Sequence, residues 1–357
     1  MKNSFEIILA CLWVVWSVVA FGAPDTILVA TWNLENLFDT EANQPGGGDE
    51  EFTPESWRRW TPERLDTKLD NLAWVIDQMK PDILCVCEVE NRAVLQQLVD
   101  RIERNHNWTF HAIAHEDSPD PRGIDNAILS RHPITSSRLL PHEDRRGALL
   151  ATIDIEGAAI TVLANHWKSQ SGDRNTNIAI RTAEALAVRR EVLAILKQNP
   201  AAAVVIAGDF NVDLDDPCLT VSFKASADRS DALGTSGAKT VFYNLLGDIP
   251  AAQRGSYYYA RRKVWNTFDA ILVAPAMLAP PEEPGPPWRV SAPDAGATLT
   301  YALEPMREPG DGRPKAFRRV RIKGKPENYY VEGYADHFPV ITTLRRAKAM
   351  PGATEKP

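Results

Sequence analysis

Cysteine is scarce in this chain, with four in 357 residues and no Cys-x-x-Cys pair. That excludes a disulfide-stapled scaffold. Cys85 and Cys87 alternate along a predicted strand and stand too close in sequence to bridge easily, so with Cys218 they are expected to be buried free thiols. Positive charge is also short. Forty Lys and Arg face 47 Asp and Glu, giving a net charge of -7 and a pI of about 5.6. An acidic total gives no global attraction to nucleic acid or anionic membrane, and leaves such binding to local basic patches. Long hydrophobic runs are missing as well. The longest, Ile7 to Ala20, falls short of the roughly 20 residues a spanning helix needs, and no repeat of fixed period occurs. What remains is an ordinary globular composition, 44% hydrophobic and 24% charged, with ample material for a core.

Lys2 precedes the apolar run, and small residues end it at Ala20 and Ala23. This pattern predicts a secretory signal peptide over residues 1–23, with cleavage after either alanine and an uncleaved anchor as the alternative. It leaves a single domain over 24–348, a flexible tail over 349–357, and a secreted or periplasmic location. Short β-branched runs predict strands at Thr26–Trp32, Asp82–Cys87, Ile124–Leu129, Leu149–Ile155, Ile160–Leu163 and Val204–Ala207. Leu65, Leu69, Leu72, Ile76 and Met79 mark a helix entered through Thr61 and Pro62. A second helix is predicted over Asn91–Arg104. A third is predicted over roughly Asn177–Lys197, with Ala179, Ala183, Leu186 and Leu193 on one side. Thr40–Trp60 is expected to be a surface loop with Asp49, Glu50 and Glu51 solvated. Strands are expected again at Gly255–Tyr259, Lys263–Val273, Phe317–Lys323 and Phe338–Leu344.

Several of these strands end in polar residues: Asn33 and Glu35 after the first, Glu88 and Glu90 after the second, then His166, the pair Asp209 and Asn211, and Asp336 with His337 before the last. If the strands lie side by side, these groups meet at one rim. Carboxylates and amides suit a hard divalent cation, whose ligands are oxygens. Two histidines beside them suit proton transfer and charge stabilisation around a phosphate.

Seven segments occur in a recognisable order: WNLEN, ILCVCEVEN, RGIDNAILSR, ANHWKS, GDFN, FDAILV and ADHFPV. Together they make the chain resemble the endonuclease/exonuclease/phosphatase superfamily, deoxyribonuclease I-like, in its secreted bacterial branch. The resemblance spans Thr31 to Val340. It implies an α/β (α+β) four-layer sandwich of two packed mixed β-sheets flanked by helices, and a metal-dependent phosphoester hydrolase. It also implies Glu88 as a metal ligand, with Asn33, Glu35 and Asp336 around the ion. Glu35 stands where the repair enzymes of the family carry an aspartate. Asp209 would orient or deprotonate the attacking water, Asn211 would hold a phosphate oxygen, and His337 would stabilise the transition state, oriented by Asp269. His166 matches a second histidine, and Asp125 occupies the place of the carboxylate that orients it. The implied ion is Mg²⁺, with Mn²⁺ or Ca²⁺ as alternatives.

Substrate is read from the basic tract Arg313–Lys325, which holds seven cations and no acid. In extended form Arg319, Arg321 and Lys323 share one face. Arg261, Arg262 and Lys263 form a second cluster, with Tyr257–Tyr259 and Trp265 beside it. Such tracks predict a nucleic-acid substrate, with Tyr259 as a stacking surface. The alternatives are a phospholipid or inositol phosphate phosphodiesterase, or a non-catalytic nucleic-acid-binding module. No apolar, aromatic-rich hairpin of the kind a lipid-directed enzyme needs is evident. No protein partner is indicated, and a monomer is expected.

Overall fold

A computed structural model describes residues 24–44, 47–140, 146–280, 282–291, 296–321 and 329–348, so the expected leader 1–23 and tail 349–357 lie outside the described residues. Eighteen strands are described. The first sheet runs β14 (Trp288–Val290), β18 (Val340–Arg346), β1 (Thr26–Leu37), β2 (Ile83–Val89), β4 (Asp125–Ser130) and β3 (Ala112–His115), with β15 (Thr298–Thr300) also on β18. The second runs β5 (Ile134–Leu140), β6 (Ala148–Ile155), β7 (Ala158–His166), β8 (Val204–Asp209), β13 (Asp269–Val273), β10 (Phe242–Asn244) and β9 (Ala225–Ser226). Each is mixed, with parallel pairs β1–β2, β7–β8 and β10–β9 among antiparallel ones. Two hairpins stand apart: β11 (Tyr257–Tyr259) with β12 (Val264–Asn266), and β16 (Arg318–Arg321) with β17 (Tyr329–Glu332).

The period-2 alternation of strands sorts the core. On β1, Ile27 and Val29 join the second sheet, whereas Ala30, Trp32 and Leu34 meet helices α1 (Pro62–Met79) and α2 (Arg92–His106). On β2, Cys85 faces the second sheet and Leu84 and Val86 face the helices. Two packed mixed sheets with flanking helices are therefore the architecture. Helix α1 begins where Thr61 accepts from the Arg64 backbone N–H with Pro62 in the first turn, and it stops at Lys80 in the left-handed region. Its stripe buries Leu65, Leu69, Leu72, Ile76 and Met79 as the spacing predicts.

Three expectations change. Helix α3 (Arg174–Gln198) buries Asn177, Arg181, Glu184, Ala185, Val188, Arg189 and Val192, while Ala179 and Leu186 are exposed. The polar members of that face are held by loop groups: Arg189 Nη1 donates to the Phe223 carbonyl at 2.7 Å, and Arg181 Nη1 to the Lys168 carbonyl at 3.0 Å. The acidic triplet is not uniformly solvated. Asp49 is buried and accepts from the backbone N–H groups of Asn43 and Gln44 at 2.7 and 2.8 Å, which organises the 40–60 loop. Finally, Lys263–Val273 is two strands rather than one, broken at Thr267 and Phe268.

Candidate active site

Strand register builds the site. His166 lies opposite Asp209 across the parallel pair β7–β8, and Asp269 lies opposite Asp209 across the antiparallel pair β8–β13. Three adjacent strands thus place an imidazole and two carboxylates in one row, at the carboxyl ends of β7 and β8. Gly208 permits this approach. With φ at +149°, a Cβ there would sit 2.0 Å from the Asn165 carbonyl oxygen. From the first sheet, Asn33 continues the β1 face that points toward the second sheet. The ladder then shifts register between Asn33 and Leu37 and between Cys87 and Val89. At those shifts Glu35, Asn36 and Glu88 take φ of 53°, 57° and 60°, and Asn211 after β8 takes 53°. Left-handed non-glycine residues are uncommon, and here they turn side chains out of strand alternation toward the rim.

The side chains meet closely. Asn33 Nδ2 donates to Asp209 Oδ2 at 3.1 Å, and the Asn211 backbone N–H donates to Asp209 Oδ1 at 2.8 Å. His166 Nε2 and His337 Nε2 lie 3.8 and 3.9 Å from Asp209 Oδ2. His337 Nδ1 pairs with Asp269 Oδ2 at 2.6 Å. Glu88 Oε2 accepts from the Asn36 backbone N–H at 3.0 Å, and its Oε1 lies 3.9 Å from His166 Nε2. The Glu35 carboxylate accepts from the Phe317 backbone N–H at 2.7 Å, and its carbonyl accepts from Lys68 Nζ at 2.8 Å. Asn33, Glu35, Glu88, His166, Asp209, Asn211, Asp269 and His337 therefore converge through this network. Asp336 adjoins His337 and interacts electrostatically with Glu35 and Glu88.

Asp125 does not join them. Its Oδ1 accepts from the Ser118 backbone N–H at 2.9 Å and its Oδ2 lies 3.4 Å from His115 Nε2, so it braces the 116–124 loop instead of orienting His166. Asp117 approaches the other nitrogen of His115, at 3.8 Å. Carboxylates at opposite ring nitrogens do not chelate one ion, because one nitrogen serves each metal. Glu90 is buried, accepts from the Asp39 backbone N–H at 2.6 Å, and is pushed up to about 8 by burial.

The basic tract is only partly placed. Arg319 and Arg321 lie on β16, with side chains outside the described set, and Lys323 lies outside the described residues. Within the tract, Lys315 pairs with Glu332 at 3.1 Å and Arg318 with Glu308 at 2.6 Å, so acids from elsewhere neutralise part of it. The β11–β12 hairpin is better defined. Tyr257 forms a β-bridge with His337, and their rings lie 4.8 Å apart. Tyr259, Val264 and Trp265 are 36%, 42% and 40% exposed, and Arg261, Arg262 and Lys263 at the tip are exposed with no ion pair among the described residues. An exposed aromatic hairpin with a basic tip is thus present, on the two segments where the sequence predicts strands and places these rings.

Electrostatics divide the site. Burial, and then Asp336, raise Glu35 to about 8 against the opposing charge of Lys68. Burial likewise lowers Lys68 to about 8, with Glu35, Asp336 and Glu88 resisting. Burial raises Asp209 to about 7 although His337 opposes it, and burial with Glu88 also raises Asp336. Burial disfavours a charge on His337, but Asp269, Asp209 and Asp336 outweigh it and hold the pKa well above 6.5. Burial and the Arg146 guanidinium drive His166 well below 6.5. Crowded carboxylates that resist ionisation fit a divalent cation, and every donor on that side is an oxygen. Asp209, Asp269 and His337 also present ligand atoms within 4.8 Å of one another. The tight pair with His337 commits Asp269 to the imidazole, and Glu88, Asn33, Glu35 and Asp336 are the remaining oxygen donors that could hold an ion.

Sequence reasoning missed Lys68 and Arg146. Lys68 had a signal, since it interrupts the α1 stripe between Leu65 and Leu72. Arg146, buried against Asp120 at 2.8 Å, had none.

Residues 28–346 match the family model described as "Endonuclease/Exonuclease/phosphatase family". Among solved structures, the fold is similar to a mannosyl-6-phosphatase from Bacteroides thetaiotaomicron, at 14% identity over 89% of this chain and 99% of that one, with a TM-score of 0.53. It is also similar to a humanized D. rerio TDP2, at 15% identity over 90% and 100%, TM-score 0.52. Truncated Caenorhabditis elegans TDP2 is similar at 14% identity over 90% and 97%, TM-score 0.51. At such identities the likeness shows the fold alone. No curated protein matches the sequence.

Proposed function

The chain belongs to the endonuclease/exonuclease/phosphatase family, and on that premise we propose that its site hydrolyses phosphodiesters with the help of a divalent cation and that its substrate is nucleic acid. The observation that carries the chemistry is the His337–Asp269 pair at 2.6 Å, set 3.9 Å from Asp209 on a rim whose other side is carboxylate and amide oxygen.

Glu88, Asn33, Glu35 and Asp336 would hold the cation, which when bound neutralises phosphate charge and orients the ester. Asp209 is buried, fixed by Asn33 and Asn211, and balanced near neutrality, as suits a base that takes a proton from the attacking water. His337, held cationic by Asp269, donates from Nε2 toward oxygens that gain charge in the transition state. Asn211 Nδ2 donates to the Trp167 carbonyl at 3.1 Å, which fixes the amide at the same rim.

The hairpin supports the choice of substrate. It carries three cations with no ion pair among the described residues, and exposed aromatic rings on a hairpin bridged to His337, which suits phosphates and stacked bases leaving the site. A second reading, a phosphoester at a lipid surface, is favoured by exposed Val264 and Trp265. We propose too that the protein acts outside the cytoplasm, on the strength of the N-terminal apolar segment. Cleavage assays with plasmid, single-stranded RNA, sphingomyelin vesicles, inositol phosphates and bis(p-nitrophenyl) phosphate, each with Mg²⁺, Mn²⁺, Ca²⁺ or EDTA, test the reading. Metal-dependent cleavage of nucleic acid supports it. Turnover of lipid alone overturns the substrate, and binding without cleavage under every cation overturns the chemistry.

A further inference from the structure

Arg146 lies inside this site, and none of the steps above uses it. It stands just before β6, buried. Its Nε donates to Asp120 Oδ2 at 2.8 Å, and its Nη1 lies 3.3 Å from His166 Nε2 and 3.5 Å from the Trp167 carbonyl. A guanidinium has donors and no acceptor, so in this contact His166 Nε2 must accept. The single proton of the neutral ring is then on Nδ1. That nitrogen is buried and makes no hydrogen bond among the described residues. His166 also borders a cavity of about 10 Å³ with Asn165, Trp167 and Glu184, which is about the space one water needs.

The geometry points to Arg146 as a positioning residue that fixes Nε2 of His166 as a hydrogen-bond acceptor, with the ring's N–H on Nδ1. The inference rests on the phosphoester reading for its consequence in turnover. An Nε2 that accepts from Arg146 cannot at the same time donate to a phosphate oxygen. His166 is thereby reserved as an acceptor, suited to orienting a water or hydroxyl. Asp120 fixes the guanidinium by its Nε edge, which leaves Nη1 facing His166 and the Trp167 carbonyl. A guanidinium keeps its charge at every working pH and holds its donors in a planar fork, which a lysine cannot reproduce.

The test uses the full chain labelled with ¹⁵N-histidine, free of metal, at pH 7. His166 is expected to show the neutral Nδ1–H signature. Arg146→Lys, which keeps the charge and loses the fork, is expected to shift it to the Nε2–H form. Turnover of bis(p-nitrophenyl) phosphate by Arg146→Lys should fall by about 10²-fold in kcat, the scale for losing one fixed donor. Added guanidinium should restore part of the turnover and the original signature to Arg146→Ala. In a His166→Gln background, Arg146→Lys should cost much less. A wild-type His166 signature of Nε2–H or imidazolium overturns the inference, as does an equal cost of Arg146→Lys in both backgrounds. Should Arg146→Ala fail to fold, the wild-type spectrum and the lysine variant still decide it. The spectrum needs no substrate, so a correct tautomer in a protein without phosphoesterase activity would sink the phosphoester reading and leave the positioning role standing.

Discussion

His337 and His166 flank the same carboxylate, at 3.9 and 3.8 Å from Asp209, yet their surroundings push their pKa values in opposite directions. Both are buried, so desolvation disfavours a charge on each. His337 meets three carboxylates, which reverse that penalty. His166, although Asp209 and Glu88 lie 3.8 and 3.9 Å from its Nε2, meets a guanidinium, which deepens it. The lesson is that a histidine's role at this rim is set by the neighbour delivered from another strand and not by the motif that carries it. ANHWKS and ADHFPV each supply an imidazole, and only Asp269 and Arg146 tell them apart.

The largest effect should come from the charged member. His337→Gln is expected to lower kcat on bis(p-nitrophenyl) phosphate by about 10²–10⁴-fold, as for loss of a positioned proton-transfer group. KM should change little, because the imidazolium acts on transition-state charge. A steady-state split that put the loss into KM would make the two histidines alike as binding groups.

Removing the cation should rank next. EDTA is expected to lower turnover by about 10²–10³-fold, the several kcal/mol of charge stabilisation a bound cation supplies. Glu88→Gln should weaken Mg²⁺ binding by calorimetry while leaving the histidine spectra in place. Unchanged Mg²⁺ affinity in that variant would move the ion away from the carboxylate side.

The comparison also predicts opposite pH effects on metal-free stability. The raised pKa of His337 means that its ion pairs stabilise the fold below about pH 6.5 and are lost as pH rises through the raised value. The lowered pKa of His166 means that the unfolded chain takes up a proton the folded chain does not. Stability therefore falls as pH drops from about 6.5 toward the lowered value. Urea unfolding across pH should show His166→Asn flattening the acidic limb and His337→Asn flattening the alkaline one. The reverse pattern would exchange the two assignments.

Smaller changes should follow at the hairpin. Arg261→Gln with Arg262→Gln is expected to weaken nucleic-acid binding and reduce its salt slope by about 0.7–0.9 per lost phosphate contact. Turnover of the small diester should be spared. Smallest of all in activity is Asp125→Ala, which should cost about 1–3 kcal/mol of stability by leaving the Ser118 backbone N–H without its acceptor, and leave kcat unchanged. A large kcat loss there would reinstate Asp125 as the partner of His166.

What the sequence revealed follows the same division. Buried strands such as β1, β2 and β8 and the stripe of α1 were legible because alternation and helical spacing are local. Polar edge strand β5, with four of its seven residues exposed, and three-residue strands such as β10 and β14 offered no period to read. The packed face of α3 is only partly legible, through Leu193, because Arg181 and Arg189 are buried by carbonyls of distant segments, which no local pattern encodes. At the site, the acidic and imidazole residues that end strands were readable. Lys68 and Arg146 act through tertiary contacts, and Asp125 turned to His115 for the same reason.

The most direct test of the central claim is a ¹⁵N-histidine spectrum of the metal-free chain at pH 7, with His166→Gln and His337→Gln used to assign the two signals. The account predicts an imidazolium at His337, protonated on both nitrogens, beside a neutral Nδ1–H ring at His166. Two rings in the same state, or a neutral His337 beside a charged His166, would contradict it.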